Sequence, residues 1–148
     1  RKGVAMRKVL KVIALLAVLL CMAAPAAAAG KKYKQGAQLE KLQASYAASI
    51  RWGDFEDAWQ LVDPVYREAN PMSDLAFERY QQIQISGYSD RNTTVTPEGD
   101  VVRNIEVRVI NKHTMAERTL RYREQWHWDP VAKRWWLVVG LPDLWNGE

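Results

Sequence analysis

Cysteine is almost absent from this chain, which excludes several kinds of functional site. The only cysteine is Cys21, and it lies in an N-terminal apolar segment that we predict to be removed. The remaining chain can therefore form no disulfide, no thiolate metal site and no cysteine nucleophile. The chain also has only two histidines, His113 and His127. Their spacing matches no metal-ligand pattern, so we expect no metal site.

The sequence also lacks the short motifs of nucleotide, phosphate and hydrolase sites. It contains no Gly-x-Gly-x-x-Gly loop, no phosphate-binding loop, no Gly-x-Ser-x-Gly and no His-Glu-x-x-His. We therefore expect a protein that works without a cofactor.

The N-terminal segment has the composition of a secretory signal peptide. Basic residues such as Lys8 and Lys11 precede an apolar run over 12–24, and the alanines at 26–29 supply an Ala-x-Ala cleavage site. We predict cleavage near Ala29 and export, most simply to a bacterial periplasm. The alternative is an uncleaved membrane anchor, but the apolar stretch is short for a span of roughly 20 residues. We expect no stable membrane insertion after cleavage.

Three parts of the chain are predicted on this basis. Residues 1–29 form the signal peptide with a few residues upstream of it, residues 30–37 form a flexible lead-in, and residues 38–148 form a single domain. The basic balance of the chain, 21 basic against 17 acidic residues, depends on the signal. Five of the bases and none of the acids lie in residues 1–29, so the mature chain has 16 bases, 17 acids and a net charge of −1. Composition therefore gives no support for nucleic-acid binding.

Helical spacing precedes strand alternation along the predicted domain. Apolar residues recur at three- and four-residue intervals from Leu39 to Ile50, and we expect this helix to end at Gly53. Asp54 and Ser73 are the predicted N-caps of later helices. From about residue 82 the pattern alternates, with turns at 97–100 and 129–133. Helices followed by a run of antiparallel strands predict an α+β fold with the helices packed on a curved antiparallel sheet.

The order of these elements resembles a known superfamily. A helical hairpin with "WGDFEDAW", a short helix, and long strands ending in "WHWDPVAKRWWLV" are similar to the nuclear-transport-factor-2-like (cystatin-like cone) superfamily over 38–142. Among its members, the chain is nearest in kind to small exported bacterial proteins. The resemblance implies a cone-shaped α+β fold with an apolar pocket between the helices and the concave sheet face. It implies no catalytic set, because no arrangement of catalytic residues in that superfamily matches this sequence.

One predicted strand carries a carboxylate among aromatic side chains. Alternation over 118–128 places Tyr122, Glu124 and Trp126 on one face. An unpaired charge on such a face would be costly. Glu124 is therefore either a pocket acid with a raised pKa or one half of an ion pair with an arginine of a neighbouring strand. The second interpretation is favoured, because buried acids are usually paired.

We predict a ligand-binding set around this carboxylate. Tyr46 and Tyr66 belong to it because their hydroxyls need partners if they are buried. The full set is Tyr46, Tyr66, Tyr122, Glu124 and Trp126, and Glu124 is also the single, weak catalytic candidate.

The opposite face of the same strands carries arginines. Arg121 and Arg123, with Arg108 on the preceding strand and Glu106 between them, form a row that is either a solvated face with weak ion pairs or the surface of a homodimer. Both interpretations stay open.

Two functions follow from these observations. The preferred one is an exported module that binds a small apolar or aromatic ligand, or a protein. The alternative is a cofactor-free acid/base enzyme of the isomerase, dehydratase or cyclase type, with Glu124 as its acid or base. Enzyme activity is the less favoured of the two, since it needs a second polar group that converges on the same cavity.

Overall fold

A computed structural model of the chain describes residues 3–8 and 23–145. The chain forms two compact units, residues 1–37 and 38–148. Residues 3–8 are helical. The apolar centre of the predicted signal peptide lies outside the described residues, so export and cleavage stay predictions. None of the helices within the described ranges is long and apolar enough to cross a membrane.

The described residues form an α+β fold, as predicted. Four strands make one antiparallel sheet in the order β1-β2-β3-β4, and the sheet does not close on itself. The helices are α1 (Ala23–Trp52), α2 (Phe55–Trp59), α3 (Pro64–Ala69) and α4 (Asp74–Tyr80), and the strands are β1 (Ile83–Val95), β2 (Val101–Asn111), β3 (Glu117–Asp129) and β4 (Arg134–Leu137).

Helix α1 begins earlier than the apolar spacing indicated. The predicted helix started near Gln38, whereas residues 30–37 are helical and mostly exposed in the structure. Three of these residues are lysines, which have high helix propensity, and the segment has no apolar stripe. The flexibility of this lead-in stays a prediction.

The predicted helix ends are largely confirmed. Gly53 follows α1 with a φ of 81°, a backbone conformation that favours glycine, and the Asp54 amide donates back to the Ser49 carbonyl at 2.8 Å. Asp54 occupies the N-cap position of α2, but its side chain makes no capping hydrogen bond. Ser73 caps α4 as predicted, because its Oγ accepts from the Ala76 amide at 3.2 Å.

Replacing Ser73 with alanine should lower the free energy of unfolding by about 1 kcal/mol, because the Ala76 amide loses its acceptor. Urea unfolding followed by circular dichroism measures this change. Ser45→Ala is the matched control, since Ser45 is exposed within α1 and alanine has the higher helix propensity there. An equal loss in both variants would show that the cap does not stabilise α4.

The inner face of the sheet forms the core with the helices. In the register of β2 and β3, Arg103 lies opposite Glu124, Ile105 opposite Tyr122 and Val107 opposite Leu120. Tyr46, Ile50 and Phe55 of the helices and Trp126 of β3 are buried in the same core. The strand alternation predicted for 118–128 is therefore confirmed.

The two edges of the sheet differ. The edge of β4 is covered by the segment that follows α2, because the Leu137 amide donates to the Leu61 carbonyl at 3.0 Å and the Asp63 amide donates to the Leu137 carbonyl at 2.8 Å. At the other edge, the pairing of β1 with β2 shifts register around Ser86 and again around Arg91. These bulges change which face the following side chains occupy.

The tryptophan-rich hairpin of β3 and β4 has its rings divided between two faces. Trp135 is buried and packs edge-on against Trp128 with ring centroids 5.6 Å apart. Its neighbour Trp136 points to the other face, where the Arg134 guanidinium lies 3.7 Å from its ring centroid. Most of this tryptophan cluster therefore fills the core or covers the sheet.

Candidate functional site

Glu124 lies in the core with both carboxylate oxygens engaged. Its side chain has 0% exposure. The Tyr88 hydroxyl donates to Oε1, and the Trp126 indole N–H donates to Oε2 at 2.8 Å. These contacts satisfy a buried charge in the way that the interior of a protein requires.

Arg103 supplies the positive charge. Its Nη1 lies 3.7 Å from Glu124 Oε2 and its Nε lies 3.3 Å from Asp90 Oδ2. The geometry therefore matches the second interpretation of Glu124, an ion pair with an arginine of the neighbouring strand. Arg103 was not among the predicted residues, although it lies two positions before Ile105 on the same face of β2. The two-residue period of a strand could have identified it.

The pKa of Glu124 is raised above its ordinary value. Burial is the main cause, because it penalises the charged form, and the hydrogen bonds from Tyr88 and Trp126 and the charge of Arg103 oppose it only in part. In the folded state the carboxyl therefore takes up a proton at a higher pH than in the unfolded chain.

This pKa shift predicts a pH dependence of stability. As the pH rises above the ordinary carboxyl value of 4.5 and through the raised value, the folded protein holds more of this proton than the unfolded chain, so stability falls. In Glu124→Gln the side chain at this position does not titrate. The free energy of unfolding of the wild type relative to Glu124→Gln should therefore fall over this range, as measured by urea titrations at successive pH values. The control Ser45→Ala, at an exposed position without a titratable group, should show no such trend. A difference that rises with pH would contradict the shift.

Two tyrosines form a second buried chain of hydrogen bonds beside Glu124. The Tyr122 hydroxyl donates to the Gly140 carbonyl at 2.8 Å, so the Tyr46 hydroxyl donates to Tyr122 at 2.9 Å. The Tyr46 ring also meets the Trp126 ring edge-on, with centroids 5.8 Å apart. Burial raises the pKa of both tyrosine hydroxyls, which keeps them neutral donors.

Tyr66 lies beside Gly140, whose carbonyl ends this chain of hydrogen bonds. It is half-buried and packs edge-on against Trp59, with ring centroids 6.3 Å apart. A Cβ on Gly140 would lie 2.7 Å from its hydroxyl, so the tyrosine and the glycine backbone are in close contact.

The structure thus brings four of the five predicted residues into direct contact and places the fifth beside them. Tyr46, Glu124 and Trp126 each have 0% exposure, so none of these three side chains is open to solvent. Their role in ligand binding stays a prediction. Tyr88 and Arg103 complete the cluster and were missed from the sequence.

The outer face of the sheet carries an open groove of about 790 Å³. Its polar lining comes from three strands: Arg91 and Asn92 of β1, Asn104 and Glu106 of β2, and Arg121 and Arg123 of β3. We call it the arginine groove. It also touches Ile105 and Tyr122, whose side chains point into the core.

The charges of the arginine groove are only partly balanced. Arg91 makes a two-pronged contact with the Glu106 carboxylate. The hydrogen bond from Arg91, with its charge and those of Arg108 and Arg121, lowers the pKa of Glu106. Within the described ranges, Arg121 and Arg123 have no carboxylate inside ion-pair distance. The lining therefore holds two arginines more than its one glutamate neutralises.

A polar row continues from the groove along β3. Arg123 donates to Gln125 at 3.2 Å, and Gln125 donates to Asp100 at 2.7 Å. The other oxygen of Asp100 lies 2.7 Å from His127 Nδ1. Partial burial alone would raise the pKa of Asp100, but the hydrogen bonds from Gln125 and His127 hold it below its ordinary value. The carboxylate thus fixes both neighbouring side chains on the outer face.

We find no candidate metal site in the described part of the chain. No group of three or more histidine, cysteine, aspartate or glutamate side chains there is arranged to hold an ion. His127 contacts the Asp100 carboxylate, and His113 lies in the exposed turn after β2.

Comparison with known proteins adds no family to this fold. No model of a protein family matches the chain, and no curated protein sequence matches it.

Proposed function

We propose that this protein is an exported interaction module that binds a partner through the arginine groove. The observation that carries the proposal is the pair Arg121 and Arg123, which are exposed on an open groove without a carboxylate in ion-pair distance among the described residues. Exposed cations that form no ion pair are available to a partner.

The interior of the domain supports a protein partner over a small apolar ligand. Tyr46, Glu124 and Trp126 have no exposed surface, so a ligand between helices and sheet would have to displace a core side chain. Such displacement costs packing energy that a small ligand recovers only in part. The outer face needs no such rearrangement.

We propose the nuclear-transport-factor-2-like cone as the architecture of this module. The helices that precede four antiparallel strands, and the tryptophan-bearing terminal hairpin, support it. One fold of this kind hosts many functions, so the architecture adds no activity to the proposal.

A crosslinking experiment tests the role of the groove. The full chain with a C-terminal affinity tag is expressed in its own cells, crosslinked, purified and identified with its partners by mass spectrometry. We expect a partner captured by the wild type to be lost in Arg121→Glu/Arg123→Glu. The control Lys41→Glu/Lys112→Glu changes the charge equally at exposed positions outside the groove and should retain it. Equal capture by both variants would overturn the proposal.

Export is a separate part of the proposal, and the signal-like N-terminal sequence supports it. Expression of the full chain in a bacterium should give a periplasmic product whose N-terminal sequence begins near Gly30. Replacing the alanines at 27 and 29 with aspartate should block cleavage, because the site requires small residues. A cytoplasmic product with an intact N-terminus would contradict export.

The acid/base enzyme remains a second proposal, and the raised pKa of Glu124 is the observation that favours it. Against it stands the closed environment of this carboxyl. Arg103, Tyr88 and Trp126 surround it, so no side of the group is open to a substrate. The interaction module therefore fits the geometry better.

A further inference from the structure

We propose that the arginine groove recognises an extended acidic segment of a partner protein, with carboxylates at every second residue. The inference rests on the interaction function proposed above and names the chemistry of the partner. It comes from the spacing, the charge and the free donors of the groove.

The spacing of the two arginines matches an extended peptide. Arg121 and Arg123 are two positions apart on β3 and on the same face, so their Cα atoms are separated by about 6.6 Å. Side chains two positions apart in an extended partner segment have the same separation. Two carboxylates of that segment can therefore each meet one guanidinium, in the two-pronged geometry that arginine prefers.

The β1 and β2 sides of the groove determine where the acidic side chains of the partner lie. Arg91 is already paired with Glu106, so the uncompensated positive charge is concentrated on the β3 side. Glu106 lies opposite Arg121 in the register of β2 and β3, so a carboxylate placed over β2 would be repelled by it. The acidic side chains of the partner are therefore expected over β3, with its neutral side chains over β2.

Amide groups beside the arginines can serve the partner's backbone. Asn104 Nδ2 donates to Asn92 Oδ1 at 2.6 Å. The Asn92 amide nitrogen then keeps its own N–H groups, for which no hydrogen bond is found among the described residues. An extended peptide presents carbonyl oxygens at regular intervals and can accept from such donors.

Two other occupants fit the groove less well. A second copy of this chain, the homodimer predicted through the sheet face, would bring one arginine-rich surface against another, and like charges oppose such pairing. A single-stranded nucleic acid normally uses aromatic rings for stacking. The groove presents none, because Tyr122 faces the core.

Peptide binding tests the inference. Two fluorescent eight-residue peptides contain four glutamates and four serines each. One alternates them as Glu-Ser repeats, and the other has Glu-Glu-Ser-Ser repeats, in which no two glutamates are two positions apart. Fluorescence anisotropy at low ionic strength measures their affinity for the purified exported protein. We expect the alternating peptide to bind the wild type about fivefold to tenfold more tightly, the range that two exposed ion pairs supply.

The variants connect this preference to the two arginines. Arg121→Gln/Arg123→Gln should remove the preference for the alternating peptide, and Lys41→Gln/Lys112→Gln should keep it. Circular dichroism confirms that both variants are folded, as expected for exposed positions.

Four outcomes would overturn the inference. Equal affinity for both peptides would reject the spacing argument and leave the proposed function standing, since the crosslinking experiment decides that separately. A preference that survives in the arginine variant would place the binding elsewhere. Tighter binding of a thymidine octanucleotide would make nucleic acid the occupant, and concentration-dependent dimerisation abolished by the arginine variant would make it a second copy.

Discussion

Glu124→Ala should lower the free energy of unfolding by about 3–5 kcal/mol, the cost of removing one partner from a buried ion pair. Arg103 would keep a buried charge that faces no carboxylate on β3, and the Tyr88 hydroxyl and Trp126 indole would lose their acceptor. In the unfolded chain these donors form hydrogen bonds to water, so the cost of the missing acceptor applies only to the folded state. Urea unfolding at neutral pH, followed by circular dichroism, measures the change.

Two further variants define what this loss means. Glu98→Ala removes a carboxylate from an exposed turn and should change stability little. Glu124→Leu with Arg103→Met removes both charges together and should cost less than Glu124→Ala alone, because no buried charge is left unpaired. A loss in Glu124→Ala below about 1 kcal/mol would show that the surrounding donors find other acceptors.

Trp126→Ala should be equally damaging for a different reason. Trp126 has 0% exposure and is the largest fully buried side chain among the described residues. Its removal leaves a cavity beside the Tyr46 ring. Glu124 Oε2 also loses the hydrogen bond that the indole N–H donates to it. The expected decrease is about 3–5 kcal/mol. Because a domain of this size is stable by only about 5–15 kcal/mol, the variant should lose a large fraction of the total free energy of unfolding.

Two comparisons separate packing from hydrogen bonding in that result. Trp126→Phe keeps an aromatic ring but no N–H, and should cost about 1–3 kcal/mol for the unsatisfied carboxylate oxygen. Trp52→Ala removes a tryptophan that is 82% exposed and should be nearly neutral. The change in thermal midpoint, recorded by circular dichroism, ranks the three variants. An equal effect at positions 52 and 126 would contradict the packing argument.

The alternation of β2 and β3 explains why much of the fold was predictable. Both strands pair without a bulge, so a two-residue period correctly separates Glu124 and Trp126 from Arg121 and Arg123. Arg103 follows the same rule and could have been named from it. The α+β order also follows from local patterns, because helix caps such as Ser73 and the turn at 97–100 act through neighbouring residues.

The bulges of β1 explain what the sequence could not show. Ile83 and Ile85 face the core, and strict alternation would place Tyr88 on the outer face. The register shift at Ser86 turns it inward to Glu124. The shift at Arg91 likewise positions that residue beside Glu106 in the groove. A bulge adds one residue without a strong sequence signal, so contacts that depend on it require the three-dimensional structure.

The unequal edges of the sheet affect how readily this protein aggregates at high concentration. The edge of β4 is already occupied by residues 61–63, and β1 is interrupted at Ser86 and Arg91. A strand of another molecule that approached β1 would find its row of backbone donors and acceptors out of step at both places. Growth of fibrils by strand addition is thereby discouraged at either end of the sheet, so the chain should remain dispersed at concentrations where an unbroken edge would seed aggregates.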